Sequence, residues 1–355
     1  MYLANSTDLR RLVVQLQHTH DVWAPQPDPG SGQVFFDRLA DAARWSPGAP
    51  LPAMPPKEVF LPQMDCILRY RYDRQRQEAT LWPCVDERPK ALVGIRPCDL
   101  AGLQCLDRFL IGQDFVDEVY LAHRRKTLIV VETCTEPFPH CFCVCTDSGP
   151  AAREGYDLSI TDIGDGNEPL YLAEAGSDEG RALAEAGGWP VAGRREVDRG
   201  REVVDRSIAR FPDLATKNKA WISRTMNRVT TGFIKPGTWE YVGRQCFECG
   251  GCSFVCPTCS CFTIEDVACG ADVWERLRTR DSCSLEGYTR MAGDHNPRKP
   301  VEDRRNKRFF CKLSYAQSKK YLRPGCVGCG RCVWVCPGDI GMPNVVRYIH
   351  REVVD

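Results

Sequence analysis

Two cysteine runs near the C-terminus constrain this chain more than any other feature. The runs are Cys246-x2-Cys249-x2-Cys252-x3-Cys256 and Cys326-x2-Cys329-x2-Cys332-x3-Cys336, each followed by a proline. With this spacing, three closely spaced thiolates hold one [4Fe–4S] cube and the fourth cysteine reaches a second cube. The chain therefore has the ligands for two [4Fe–4S] clusters.

The spacing predicts that each cluster takes three ligands from one run and one from the other. Set 1 comprises Cys246, Cys249, Cys252 and Cys336. Set 2 comprises Cys326, Cys329, Cys332 and Cys256. Glycines inside both runs fit such loops because glycine adopts positive φ and allows close backbone approach.

Zinc and disulfides explain the two runs less well. Zinc sites are typically built from separated Cys-x2–4-Cys pairs, not from triplets followed by Cys-Pro. A disulfide framework would need an oxidising compartment, and the odd count of 21 cysteines argues against a complete one.

The whole chain sets wider limits. Its 355 residues can hold two domains, and its 47 basic and 47 acidic residues give no reason to expect nucleic acid or an anionic membrane as a partner. The first residues lack the apolar block of a signal peptide, and no stretch approaches a membrane span. We therefore expect a soluble protein of the reducing cytoplasm.

The fold is expected to be α+β, with an α/β domain over 1–200 and a mainly helical, ferredoxin-like dicluster domain over 201–355. Residues 24–62 are rich in proline and are expected to be mostly irregular. Residues 91–95 and 127–131 are short apolar runs typical of buried strands, with a helix capped by Asp99 between them. Residues 156–163 alternate as a half-buried strand does.

The second half has a helical pattern. Helices are expected from Glu202 to Phe211 and over 215–232, and the insertion between the two cysteine runs should contain structure of its own. Its charged stretch, 294–312, is expected to be a solvated surface, with docking of an acidic partner on Arg298, Lys299, Arg304, Arg305, Lys307 and Arg308 as the alternative.

Several motifs together resemble a known family. They are Ile95-Arg-Pro-Cys-Asp-Leu100, Glu132-Thr-Cys134, Cys141-Phe-Cys143, the two runs, Cys256-Pro-Thr-Cys-Ser-Cys261, Asp281-Ser-Cys283 and Asp294-His-Asn296. This combination is similar to the β subunit of cytoplasmic sulfhydrogenases, which are bidirectional NAD(P)-linked [NiFe] hydrogenases. It is also similar to the iron–sulfur subunit of the anaerobic sulfite reductase that belongs to the same dicluster family.

The resemblance implies an iron–sulfur subunit that relays single electrons between two partners, a flavin/NAD(P)-binding subunit on one side and a terminal catalytic subunit on the other. A [NiFe] hydrogenase, with its small and large subunits, is the leading candidate for that terminus, and another terminal reductase is the alternative. No glycine-rich dinucleotide fingerprint follows a strand, so flavin and nicotinamide are expected on a partner. A sulfur or polysulfide reductase acting at a cluster or at a reactive thiol such as Cys145 is a further alternative, and whether the chain is an enzyme by itself stays open.

Eight of the remaining cysteines lie in or near these motifs and form two more groups. Set 3 comprises Cys98, Cys134, Cys141 and Cys143, and set 4 comprises Cys259, Cys261, Cys283 and Cys311. We hypothesise that each holds a further cluster, giving up to four, with zinc as a rival for set 4. Five others are expected to be ordinary buried thiols: Cys66, Cys84, Cys105, Cys145 and Cys269.

Overall fold

The computed structural model describes residues 1–166, 168–212 and 220–352. Its strands are β1 Tyr2–Asn5, β2 Asp21–Pro27, β3 Val34–Arg38, β4 Met64–Asp73, β5 Glu78–Pro83, β6 Lys90–Ile95, β7 Thr127–Glu132, β8 Leu158–Asp162, β9 Leu170–Ala175, β10 Phe262–Ala268 and β11 Val273–Arg280. Its helices are α1 Ser6–Gln17, α2 Pro97–Leu110, α3 Glu118–Arg125, α4 Asp178–Ala186, α5 Arg194–Ala209, α6 Ala220–Thr231, α7 Pro236–Arg244, α8 Gly251–Phe254, α9 Val301–Leu313, α10 Tyr315–Tyr321, α11 Arg331–Trp334 and α12 Met342–Arg351. The expected α+β class is confirmed.

A seven-stranded mixed sheet forms the N-terminal part, in the order β1-β9-β8-β7-β6-β2-β3. Strands β2, β6, β7 and β8 are parallel to their neighbours within this set, and β1, β3 and β9 pair antiparallel at the two sides. Helix α2 connects β6 to β7, which is a parallel β-α-β unit. The two predicted buried strands at 91–95 and 127–131 are therefore confirmed as β6 and β7.

Two local expectations in this region are wrong. Arg96, not Asp99, is the N-cap of α2, and Pro97 occupies the first turn, where its missing N–H costs nothing. Asp99 lies inside the first turn and is buried. Strand β8 is buried on both faces over its first four residues, because Leu158 and Ile160 enter an apolar core on one face and α5 packs against the strand.

Residues 24–62 are mostly irregular, as expected, with the end of β2, all of β3 and two short 3-10 turns as the ordered elements. The predicted helix at 202–211 belongs to α5, which begins eight residues earlier, at Arg194. The predicted helix at 215–232 is confirmed as α6 from Ala220 to Thr231, and its first expected turn lies outside the described residues.

A second sheet has four antiparallel strands in the order β10-β11-β4-β5. Strands β4 and β5 come from the N-terminal part, whereas β10 and β11 come from the insertion between the cysteine runs. One apolar core also joins both parts, since Cys98 and Phe142 pack with Trp221, Phe309 and Val345. The division at residue 200 stays a prediction, and strand pairing and core packing both cross it.

The described residues include no helix that is long and apolar enough to cross a membrane.

Candidate metal centres

The two cysteine runs fold alike. In each run a glycine with left-handed backbone, Gly250 or Gly330, is the N-cap of a four-residue helix, α8 or α11. This glycine separates the second cysteine of the run from the third, so the loop and the helix present their sulfurs to the same region. The local geometry is that of a loop that wraps around a compact anionic group.

The four cysteines of set 1 line one cavity of about 370 Å³, together with Arg305 and Ser284. Cys336 reaches this cavity from the second run, as the crossed spacing predicts. The backbone N–H of Glu248 lies 3.4 Å from Cys246 Sγ, in position to donate to it. Cys249 is exposed, so this cavity lies at the protein surface.

The four cysteines of set 2 also converge. Burial raises the pKa of Cys326 well above its ordinary value, and Cys332, Cys256 and Cys329 lie close enough to raise it further. Backbone amides point at these sulfurs, with Gly328 N 3.4 Å from Cys326 Sγ and Met342 N 3.3 Å from Cys332 Sγ. Amide donors to cluster sulfur are among the features that set a cluster's potential.

Set 3 is assembled at one end of the seven-stranded sheet. Cys98 lies in the first turn of α2, Cys134 follows β7, and Cys141 and Cys143 lie in the next loop. A hydrogen bond with Cys141 and burial raise the pKa of Cys143 well above its usual value, and Cys98 and Cys134 act in the same direction. All four thiols are thus within electrostatic reach of one another.

Sets 2 and 3 are neighbours. The N–H of Phe142 donates to the carbonyl of Gly328 at 2.7 Å, which joins the loop of set 3 to the loop of set 2. Cys98 also lies within electrostatic reach of Cys329. A group bound by set 3 would therefore adjoin a group bound by set 2.

Set 4 is brought together in part. Hydrogen bonds from Cys283 and from Tyr288 lower the pKa of Cys261 to about 6 although burial opposes them, and Cys311 lies within electrostatic reach. Cys259 instead interacts with Cys256 of set 2, and that hydrogen bond, with burial, raises the pKa of Cys259 well above its ordinary value.

The remaining five cysteines do not behave alike. Cys105 is buried, Cys66 and Cys84 are half-buried with their sulfurs 3.0 Å apart, and Cys269 is exposed. The indole N–H of Trp221 lies 3.1 Å from the sulfur of Cys145. The expectation of five ordinary buried thiols is therefore confirmed for Cys105 alone among these residues.

Helix α9 places positive charge against the cysteines, which sequence reasoning missed. Arg305, Arg308 and Lys312 follow one another at helical spacing and are each at most 4% exposed. Arg305 Nη1 lies 3.7 Å from Cys252 Sγ, and Arg308 Nη1 lies 3.7 Å from Cys259 Sγ.

The expected solvated surface over 294–312 is therefore wrong for the buried residues of α9, including Arg304, which pairs with Glu248. The same burial rules out docking of a partner on Arg304, Arg305 and Arg308. The signal that could have indicated this was the spacing of 305, 308 and 312, which puts three charges on one helix face beside the apolar Phe309.

The donor set fits [4Fe–4S] clusters. The converging groups offer sulfur alone, with backbone N–H groups and guanidinium groups directed at it. Among the described residues, no three His, Cys, Asp or Glu side chains are arranged to hold a single metal ion. The clusters are larger than one ion, and thiolates around them stand further apart.

The class of this protein follows from the comparison of its C-terminal part with known families. Residues 245–340 match the model of the 4Fe-4S dicluster domain. Together with the donor sets, the match makes this an iron–sulfur electron-transfer protein with more than one [4Fe–4S] cluster.

The particular relative is a sulfhydrogenase subunit. Over 307 residues, the chain is 28% identical to the Sulfhydrogenase 2 subunit beta of Pyrococcus furiosus, covering 85% of this chain and 84% of the relative. The expected resemblance to sulfhydrogenase β subunits is confirmed. No solved structure matches the chain.

Proposed function

We propose that this protein relays single electrons between two partners in a cytoplasmic complex, a flavin/NAD(P)-binding subunit on one side and a terminal [NiFe] hydrogenase on the other. The observation that carries the proposal is the succession of cysteine sets, from buried set 3 through set 2 to set 1 at the surface. The dicluster match and the sulfhydrogenase relative support it.

When bound, [4Fe–4S] clusters take up and release one electron at a time. The chain's own residues supply ligation, insulation and access. Four thiolates around each cluster leave no iron free for substrate, and the apolar core that contains Cys98, Cys141 and Cys329 keeps water from the inner sets. The protein is then a conductor whose ends must lie near its partners.

The surface around set 1 fits the docking of a redox partner. Cys249 is exposed there, and two large apolar side chains from the neighbouring loops are exposed as well, Phe247 at 71% and Trp334 at 60%. Apolar side chains at a surface favour association with another protein. A partner seated on them would bring its own cofactor close to set 1.

Purification of the native complex tests the proposal. We expect co-eluting chains that carry flavin and nickel, detected by mass spectrometry and metal analysis. Recovery of the chain only as a free monomer would contradict it. Reduction of polysulfide by the isolated holoprotein, supplied with a chemical reductant, would favour the alternative enzyme.

The docking surface is tested by Phe247→Glu and Trp334→Glu in the complex. We expect loss of co-elution with the partner at unchanged iron content. Phe115→Glu is the matched control, because Phe115 is 93% exposed and lies on the loop between α2 and α3. Equal loss of the partner in the control would contradict the assigned surface.

A further inference from the structure

Four buried cations surround the cysteine sets without carboxylate partners. Lys57, Arg305, Arg308 and Lys312 are each at most 4% exposed. Within the described residues, no Asp or Glu oxygen lies within salt-bridge distance of any of them, whereas the neighbouring Arg304 pairs with Glu248. Burial of an unpaired charge is strongly destabilising. Some other negative charge must therefore compensate them.

The cations are directed at the cysteine loops. Arg308 Nη2 donates to the carbonyl of Cys252 at 2.8 Å. Lys57 Nζ donates to the carbonyls of Cys256 and Cys259, at 2.5 and 2.9 Å. These contacts fix the charged groups beside ligands that belong to different sets.

Lys312 holds its ammonium group in the same region. Its Nζ donates to the carbonyl and hydroxyl oxygens of Thr258, at 3.1 and 2.7 Å, and Thr258 follows Cys256 closely in the chain. Lys57 comes from the N-terminal part, so both parts of the molecule contribute positive charge to one region.

Arg308 lies between sets 1 and 2. Burial opposes its charge, yet the sulfurs of Cys252, Cys259 and Cys256 outweigh burial and raise its pKa well above the ordinary value. Cys332 of set 2 acts in the same direction. Arg308 thus interacts with cysteines of both ferredoxin-type sets.

A [4Fe–4S] cluster with four thiolate ligands is an anion, and reduction adds one more electron to it. Net charge and hydrogen bonds to sulfur are among the terms that set its potential. In a buried site, a fixed positive charge stabilises the reduced form more than the oxidised form because the interaction is weakly screened.

We propose that Arg308 and Lys312, supported by Lys57 and Arg305, are positioning residues that raise the reduction potentials of the clusters on sets 1 and 2. They also compensate the added charge when both neighbouring clusters are reduced. The relay proposed above gives this tuning its use, but the potentials are a property of the chain and do not depend on any partner.

The experiment is an EPR-monitored redox titration of the anaerobically purified holoprotein, with Arg308→Gln and Lys312→Gln compared with the parent. We expect at least one cluster of each variant to become harder to reduce by about tenfold, a shift of about 59 mV to more negative potential. Iron content and EPR spin counts are measured on the same samples.

Lys307→Gln is the matched control. It removes one positive charge from the same helix, but Lys307 contacts the ring of Phe310 and is not among the buried cations. We expect its potentials to equal those of the parent. Arg308→Lys retains the charge and should stay closer to the parent than Arg308→Gln does.

Unchanged potentials in both glutamine variants, with full iron content, would overturn the proposal. If the glutamine variants lose their clusters, Arg308→Lys decides the matter. Retention of clusters by the lysine variant would support a role of charge, and loss in both would overturn it, because the shape of arginine and not its charge would then be required. An absence of partner subunits in native extracts would contradict the relay and leave these potentials unaffected.

Discussion

Arg331 and Asp99 form a bidentate ion pair in which each side chain is 1% exposed, with N–O distances of 2.6 and 2.9 Å. Arg331 directly precedes Cys332 of set 2, and Asp99 directly follows Cys98 of set 3. The third donor of the guanidinium, Nε, binds the carbonyl of Pro52 at 2.8 Å. One side chain therefore fixes the spacing between two cysteine sets.

Asp99→Asn should destabilise the protein by about 3–5 kcal/mol, because it leaves the buried charge of Arg331 uncompensated. The measurement is the urea midpoint of the holoprotein under anaerobic conditions. Replacing Arg331 by Met in the same variant should recover part of the loss, since no charge is then left unpaired.

Glu275→Gln is the control for that prediction. It breaks an ion pair with Arg69, whose side chain is 53% exposed, so it should cost less than about 1 kcal/mol. Equal losses in Asp99→Asn and Glu275→Gln would show that burial of the Arg331 pair has no special effect.

Cys249→Ser and Cys329→Ser should each remove or alter one cluster, since each residue is the middle cysteine of its triplet. Iron content and EPR spectra of the anaerobic protein measure this. Cys105→Ser is the matched control, because Cys105 belongs to no set and burial raises its pKa to about 11, which keeps it a thiol. Identical iron and EPR signals in all three variants would refute the ligand assignment.

At the scale of elements, the contact between the two halves depends on the loops and not on long helices. Gly328 has φ of +64°, and a Cβ added there would lie 2.7 Å from the backbone of Phe142 and Cys143. The loop of set 2 can thus approach the loop of set 3 only because this residue has no side chain.

Gly328→Ala should therefore push the two loops apart and lower the iron content, with the clusters of sets 2 and 3 most affected. Gly232→Ala is the matched control, since Gly232 has φ of +76° but nothing within 4 Å of an added Cβ. Both variants strain the backbone, and only the first also clashes. Loss of iron in both to the same extent would attribute the effect to backbone strain.

The elements differ in how far the sequence could predict them. Strands β6 and β7 were predictable because apolar runs such as 91–95 suit strands buried on both faces. The cysteine spacing likewise indicated sets 1 and 2, whose ligands the structure brings together. Local patterns could not reveal the role of Asp99, because its position near a helix start suits both a cap and a buried ion-pair partner.

The burial of Arg305, Arg308 and Lys312 was also unpredictable from local pattern. Charged residues are ordinarily exposed, and only knowledge of nearby thiolates makes a buried position favourable. The pairing of β4 with β11 depends on residues far apart in the chain, and neither strand has a strict alternation that would identify its partner.

At the scale of the whole molecule, the number of clusters is decided by composition. If sets 3 and 4 both hold clusters, anaerobically purified protein should contain markedly more iron and acid-labile sulfide than the roughly eight iron atoms of two four-iron clusters. Cys134→Ser and Cys283→Ser should then each lower the count by one cluster's content.

About eight iron atoms per chain, the content of two four-iron clusters, unchanged in both variants, would refute clusters on sets 3 and 4. Zinc in place of the missing iron, lost from Cys283→Ser, would assign set 4 to zinc.

The four-stranded sheet has a consequence for biosynthesis. As the chain leaves the ribosome, the hairpin of β4 and β5 emerges early, but the strand that covers the open side of β4 is β11, after the first cysteine run. Until then β4 presents unpaired backbone groups, which is a site for association between nascent chains. Delivery of iron and sulfide to the first run must therefore be coordinated with closure of an edge made near the start of translation.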